Sequence, residues 1–259
     1  MAPKSTEANA TVVRYEALVG CLYRIWVRPD WALGEAEWHA GQFVRLAIPG
    51  DDVKDARAYS FVDARDGVFE FYVVAVNGGR TSPRLQALRA GDRLWVEEKI
   101  AGHFVLEHNP PGARLLMVAT GAGVAPFVCM LRNGAAPLAA YTSVGIVHQV
   151  RSPEHLAYGA EIAAWAQRDE RARYVPVISQ PSAPLHVVDG HAALTGHVQD
   201  HVPTGRLARQ LDAPIDASTV VMLCGNPAMI KDTTAALEAI GLARHKKSKA
   251  GQIITERYW

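Results

Sequence analysis

Leu115-Leu116-Met117-Val118-Ala119-Thr120-Gly121-Ala122-Gly123-Val124-Ala125-Pro126-Phe127 is the stretch that decides the fold. Five apolar residues without alternation read as a strand buried on both faces. The run of small residues after it reads as a strand-to-helix turn, the junction that a parallel sheet covered by helices requires. Further strands of the same kind follow at Val144–His148, Tyr174–Ile178, Val220–Cys224 and Gln252–Thr255, with helical spacing between them. Ser152 is expected to cap and Pro153 to lead a helix through Leu156, Ala160, Ala163 and Ala164, and a last helix follows Pro227.

Upstream the rhythm differs. Short alternating segments at Thr11–Leu18, Leu22–Val27, Phe43–Ile48, Tyr59–Val62, Val68–Val76 and Leu94–Glu98 are punctuated by Gly and Asp, the pattern of a small antiparallel barrel. One helix interrupts it, with Ser82 as expected N-cap, Pro83 at the first position, and Leu85 and Leu88 facing inward. The polar stretch Glu107–Gly112 marks the change. The expectation is two domains, residues 9–107 and 113–259.

Composition narrows the function classes. Hydrophobic residues make up 49% and charged residues 20% of the 259, an ordinary globular balance. A net charge of +1 argues against whole-surface attraction to nucleic acid, and no stretch reaches the ~20 apolar residues of a membrane span. Cys21, Cys129 and Cys224 are too scattered for a disulfide framework or a metal site, and the histidines have no ligand spacing, so a reducing, cytoplasmic setting is expected. The run Arg244, His245, Lys246, Lys247 and Lys249 reads as a solvated face, or else as steering for an acidic partner.

Three places carry chemistry. Arg57-Ala58-Tyr59-Ser60 opens a strand, and Gly79-Arg80-Thr81-Ser82-Pro83-Arg84-Leu85 opens a helix; together they suit a diphosphate, with a flat ring along Tyr59. The turn Thr120–Phe127 admits a dinucleotide or serves tight packing alone, and it is not the Gly-x-Gly-x-x-Gly pattern. Cys224-Gly225-Asn226-Pro227 lies at the carboxyl end of a strand, where open α/β sheets place ligands; the competing reading is a small buried cysteine.

Taken in order, these segments resemble the bacterial ferredoxin or flavodoxin NADP reductases, together with Phe71-Tyr72, Ala101–Leu106 and the terminal Glu256-Arg257-Tyr258-Trp259. The resemblance implies an FAD-binding barrel followed by a nucleotide domain, and hydride transfer between NADPH and flavin N5 with one-electron release to a separate ferredoxin or flavodoxin. It places Arg57, Ala58, Tyr59, Ser60, Tyr72, Arg80, Thr81, Ser82, Ala122, Tyr258 and Trp259 around FAD. Thr120, Gly121, Val150, Arg151, Ser179, His197, Cys224 and Asp232 fall around NADP, and Ser60, Cys224 and Glu256 next to the reacting atoms.

The chain departs from the family at the 2′-phosphate. Arg151 matches one arginine, but Gln180 and His197 stand where the family has two more. That opens an alternative, an NADH-preferring reductase serving an oxygenase or an iron–sulfur protein, whose cluster three cysteines cannot hold in this chain. A second alternative is a non-catalytic flavin or nucleotide sensor. Nothing in the sequence demands an oligomer, and a monomer is expected.

Overall fold

A computed structural model describes residues 6–34, 38–110, 112–182, 187–188, 190–246 and 248–257. Its contacts divide the chain into two compact units, residues 1–105 with 125–133, and 106–124 with 134–259.

The first unit is a closed barrel of six antiparallel strands: β1 (Ala10–Ala17), β2 (Leu22–Pro29), β3 (Phe43–Ala47), β4 (Arg57–Asp63), β5 (Phe69–Val74) and β6 (Arg93–Val96). Around the wall they run β1-β2-β5-β4-β3-β6, and closure leaves no strand edge open. Phe61, Phe69 and Phe71 fill one side of the interior with ring centroids 5.1–6.4 Å apart. Their alternation with outward residues is the period-2 signal of the sequence.

Helix α1 (Ser82–Gln86) interrupts the barrel, but Ser82 does not cap it. Thr81 holds the cap position, while the Ser82 hydroxyl accepts from the Val76 N–H and the Ser82 carbonyl accepts from the Tyr23 hydroxyl. Ser82 thus closes the loop 76–82 instead of ending a helix. Helix α2 (Ala125–Asn133) follows the turn after the first sheet strand yet packs on the barrel: Phe127 meets Phe104, and Arg132 pairs with the buried Glu70 at 2.7 Å.

The second unit is a six-stranded parallel sheet in the order β12-β9-β8-β7-β13-β14. Its strands are β7 (Arg114–Thr120), β8 (Ser143–Val150), β9 (Ala172–Ile178), β12 (Leu194–Thr195), β13 (Thr219–Gly225) and β14 (Ile253–Arg257). Strands β10 (Val187–Val188) and β11 (His191–Ala192) form a separate hairpin. Helices α3 (Ala135–Leu138), α4 (Gly159–Arg168), α5 (Val198–His201), α6 (Arg206–Leu211) and α7 (Pro227–Ala239) complete the unit. Val118, Val147, Val177, Leu223, Ile230 and Leu237 belong to one apolar cluster, as expected for strands buried on both faces.

The helix expected from Ser152 is broken in two. A single 3-10 turn spans Pro153–His155, and α4 begins only at Gly159 after Tyr158 adopts φ +63°. Ser152 makes no cap, because its hydroxyl is engaged by Glu154 at 2.6 Å and by His155 Nδ1 at 2.7 Å. Among the described residues no helix is long and apolar enough to cross a membrane, and no cluster of His, Cys, Asp or Glu suits a metal ion.

Candidate functional site

In the barrel, β4 carries the proposed flavin residues outward in order. Arg57 and Ala58 are exposed, Tyr59 is half-buried and Ser60 is buried. Burial raises the Tyr59 phenol well above its ordinary range, so the ring stays neutral. Asp55, in the 3-10 turn Val53–Asp55, is the hub that the sequence did not reveal. Arg57 Nη1 donates to the carbonyls of Lys54, Asp55 and Ala56 at 3.2, 2.9 and 3.0 Å. From the other side, Arg80 Nη1 reaches the Asp55 carboxylate at 3.1 Å and the Thr81 hydroxyl donates to the Asp55 carbonyl at 2.9 Å.

Two exposed guanidinium groups are therefore held on one short turn, and Arg57 keeps its Nε and Nη2 outside these bonds. That donor set fits a diphosphate. Tyr72 is buried on β5 opposite Arg24, and Ser82 is committed to the loop as described. Tyr258 and Trp259 lie outside the described residues.

In the sheet unit, the turns after β7 and β13 interlock. The Thr120 hydroxyl accepts from the Asn226 N–H at 2.8 Å, and the Asn226 side chain caps α7 by accepting from Ala228 N–H. A Cβ on Gly225, which has φ +126°, would stand 2.4 Å from Thr120 Oγ1. A Cβ on Gly123 would stand 2.4 Å from the Cys224 carbonyl oxygen, so packing alone demands this glycine. Gly121 is different: it has φ +50° and nothing within 4 Å of the place a Cβ would take. The small-residue turn thus serves both readings, packing at Gly123 and open approach at Gly121. Ala122 lies between them, buried, in the sheet unit. Cys224 is fully buried at the end of β13, and Glu256 of β14 stands beside it in register.

The residues proposed for the 2′-phosphate come together at the carboxyl ends of adjacent strands β8, β9 and β12. Ser179 N–H and hydroxyl both donate to the Val150 carbonyl, at 2.9 and 3.3 Å. Arg151 Nε donates to Gln180 Oε1 at 2.7 Å, and Gln180 N–H donates to the Arg151 carbonyl at 2.8 Å. Gln180 therefore orients the arginine instead of adding a second cation. Gln149 Oε1 accepts from Val198 N–H, so its amide nitrogen donates to His197 Nδ1 at 3.2 Å. Asp232 is exposed on α7. Asp55 and Gln149 escaped sequence reasoning because each acts through a partner distant in the chain.

The family model described as the oxidoreductase NAD-binding domain matches residues 117–235. The flavodoxin/ferredoxin–NADP reductase of Shigella flexneri is 34% identical over 224 residues, covering 85% of this chain and 87% of its own. A crystal structure of a ferredoxin NADP+ reductase from Neisseria gonorrhoeae with bound FAD and NADP superposes with TM-score 0.85 at 26% identity, covering 99% of this chain and all of that one. A cytochrome P450 reductase from Amycolatopsis superposes at 0.74 with 25% identity, covering all of this chain and 71% of its own. With six strands closed into a barrel in one unit, a six-stranded parallel sheet in the other and this degree of identity over most of its length, the chain belongs to the flavodoxin/ferredoxin–NADP reductase family.

Proposed function

We propose that residues 9–107, joined by α2, bind FAD, that residues 113–259 bind NADP(H), and that the protein passes electrons from NADPH to a separate ferredoxin or flavodoxin. The observation that carries this reading is the convergence of Arg57, Arg80 and Thr81 on Asp55 beside Tyr59 and Ser60. FAD, when bound, supplies the chemistry that joins a two-electron donor to a one-electron acceptor. The chain supplies binding and orientation. Arg57 and Arg80 neutralise the diphosphate, Tyr59 lies along the flavin ring, and Ser60 offers its hydroxyl at the reacting edge. Thr120, Gly121 and Cys224 position the nicotinamide, and Glu256, next to Cys224, handles protons. The protein acts as a cytoplasmic monomer.

NADPH is the first reading because Arg151 remains. The replacement of two family arginines by Gln180 and His197 favours a second, a reductase that accepts NADH. An anaerobic titration with each nucleotide, following the visible flavin absorbance, decides between them. Bleaching at lower NADPH than NADH concentration supports the first; equal or better bleaching by NADH supports the second. A colourless protein or an unresponsive flavin overturns both.

A further inference from the structure

His148 is fully buried near the carboxyl end of β8, in register with Ala119 of β7 and Pro176 of β9. Its neighbours along the strand are the apolar Val147 and the buried amide Gln149. Burying an imidazole there is costly unless its polar atoms find partners. One does: Nε2 lies 3.0 Å from the carbonyl oxygen of Gly121. A carbonyl only accepts, so Nε2 carries the proton and Nδ1 is left as a bare acceptor, buried with no hydrogen-bond partner among the described residues. Burial also pushes the imidazole down to about 4, so the ring is neutral at physiological pH and this tautomer persists.

The bond falls on Gly121, the residue that follows β7 and opens the 3-10 turn Gly121–Val124. Gly121 has left β7 and turned to φ +50°, and the space over its Cα is open. The peptide joining Gly121 to Ala122 is trans and planar, so its carbonyl and its N–H point in opposite directions. Drawing the Gly121 carbonyl toward His148 therefore aims the Ala122 N–H away from His148. The other anchors of this region, Asn226 N–H on Thr120 Oγ1 and the packing of Gly123 on Cys224, act on the residues to either side.

We propose that His148 is a positioning residue for the pyridine dinucleotide: by holding the Gly121 carbonyl it presets the peptide whose N–H faces the ligand. The proposal rests on the reading of this turn as nucleotide-binding. The test compares His148→Gln, His148→Asn and His148→Leu in the FAD-loaded protein, with NADP+ as the probe and the flavin difference spectrum as the readout. Glutamine carries a donor at the reach of Nε2, whereas asparagine ends near Nδ1 and leucine has none. Loss of one preset hydrogen bond should weaken NADP+ about tenfold in the Leu and Asn variants, with Gln within about twofold of wild type. FAD content should remain unchanged in all three, because the barrel is untouched.

Equal affinity in all four proteins overturns the proposal, as does a Gln variant no better than Asn, since mere packing treats these two alike. If the Leu variant fails to fold, the Gln–Asn pair alone decides. A wild type that ignores NADP+ overturns the nucleotide reading and this proposal together, whereas a wild type that binds with variants that all match it overturns this proposal only.

Discussion

The two regions proposed to hold phosphate are built on opposite plans. In the barrel, Arg57 and Arg80 stand on one turn and are tied to main-chain carbonyls and to the Asp55 carboxylate, so charge is concentrated and its carriers are fixed. At the strand ends of the sheet a single guanidinium, Arg151, is held by a neutral amide, Gln180, and the neighbouring His197 is held by another, Gln149. The first plan suits a cofactor that stays for many turnovers. The second suits a substrate that must leave after each one, because a weaker phosphate clamp shortens the residence of product.

Four measurements test that contrast. Arg57→Ala should have the largest effect: loss of charge-assisted bonds to the diphosphate should weaken FAD retention about a hundredfold, read as flavin content after ultrafiltration. Full flavin content would remove the barrel half of the comparison.

Acid should next distinguish the sheet. The folded-state value of His148 is lowered to about 4 from an ordinary 6.5, so the unfolded chain binds more protons between these values. The stability it contributes is complete above about pH 6.5 and is lost as pH falls toward 4, by about 2 kcal/mol between pH 7 and pH 5. Denaturant unfolding at both pH values, in wild type and in His148→Gln, checks this; an unchanged difference in the variant would assign the acid sensitivity elsewhere.

Gln180→Arg should follow, raising the NADPH over NADH preference in kcat/KM about tenfold by adding a second cation for the 2′-phosphate. No change would mean that the strand ends do not hold that phosphate. Smallest is Thr81→Val, which removes one neutral hydrogen bond to the Asp55 carbonyl and should weaken FAD only about threefold to fivefold.

Much of the fold was legible because burial leaves a period in the sequence. Every barrel strand was foreseen within a few residues, since alternation follows directly from one-sided burial, and Phe61, Phe69 and Phe71 carry that signal. The two-residue β12 was not, because Leu194–Thr195 is too short to show any period. The continuous helix expected from Ser152 failed on hydroxyl chemistry: Ser152 bonds Glu154 and His155 locally, and Tyr158 turns left-handed before α4 can start. At the site, motif residues such as Arg57 and Cys224 were legible one by one. What tethers them was not. Asp55 beneath Arg57, Gln180 beside Arg151 and His148 beneath Gly121 are pairings across strands and loops, and a histidine in an apolar run reads as core.

One feature of the fold bears on how the protein is made. Helix α2 belongs to the barrel by its contacts, through Phe127 on Phe104 and Arg132 on Glu70, yet it is encoded after the first strand of the sheet. Gly41 can have no side chain, because it has φ +104° and a Cβ there would stand 2.0 Å from the Phe104 carbonyl oxygen, with the end of Met130 of α2 packed against the same place. A ribosome emits about 5–20 residues each second, so for some seconds the six barrel strands exist without the helix that covers them. A gene cut at residue 107 would therefore express the barrel strands without the helix that Phe127 and Arg132 anchor to them.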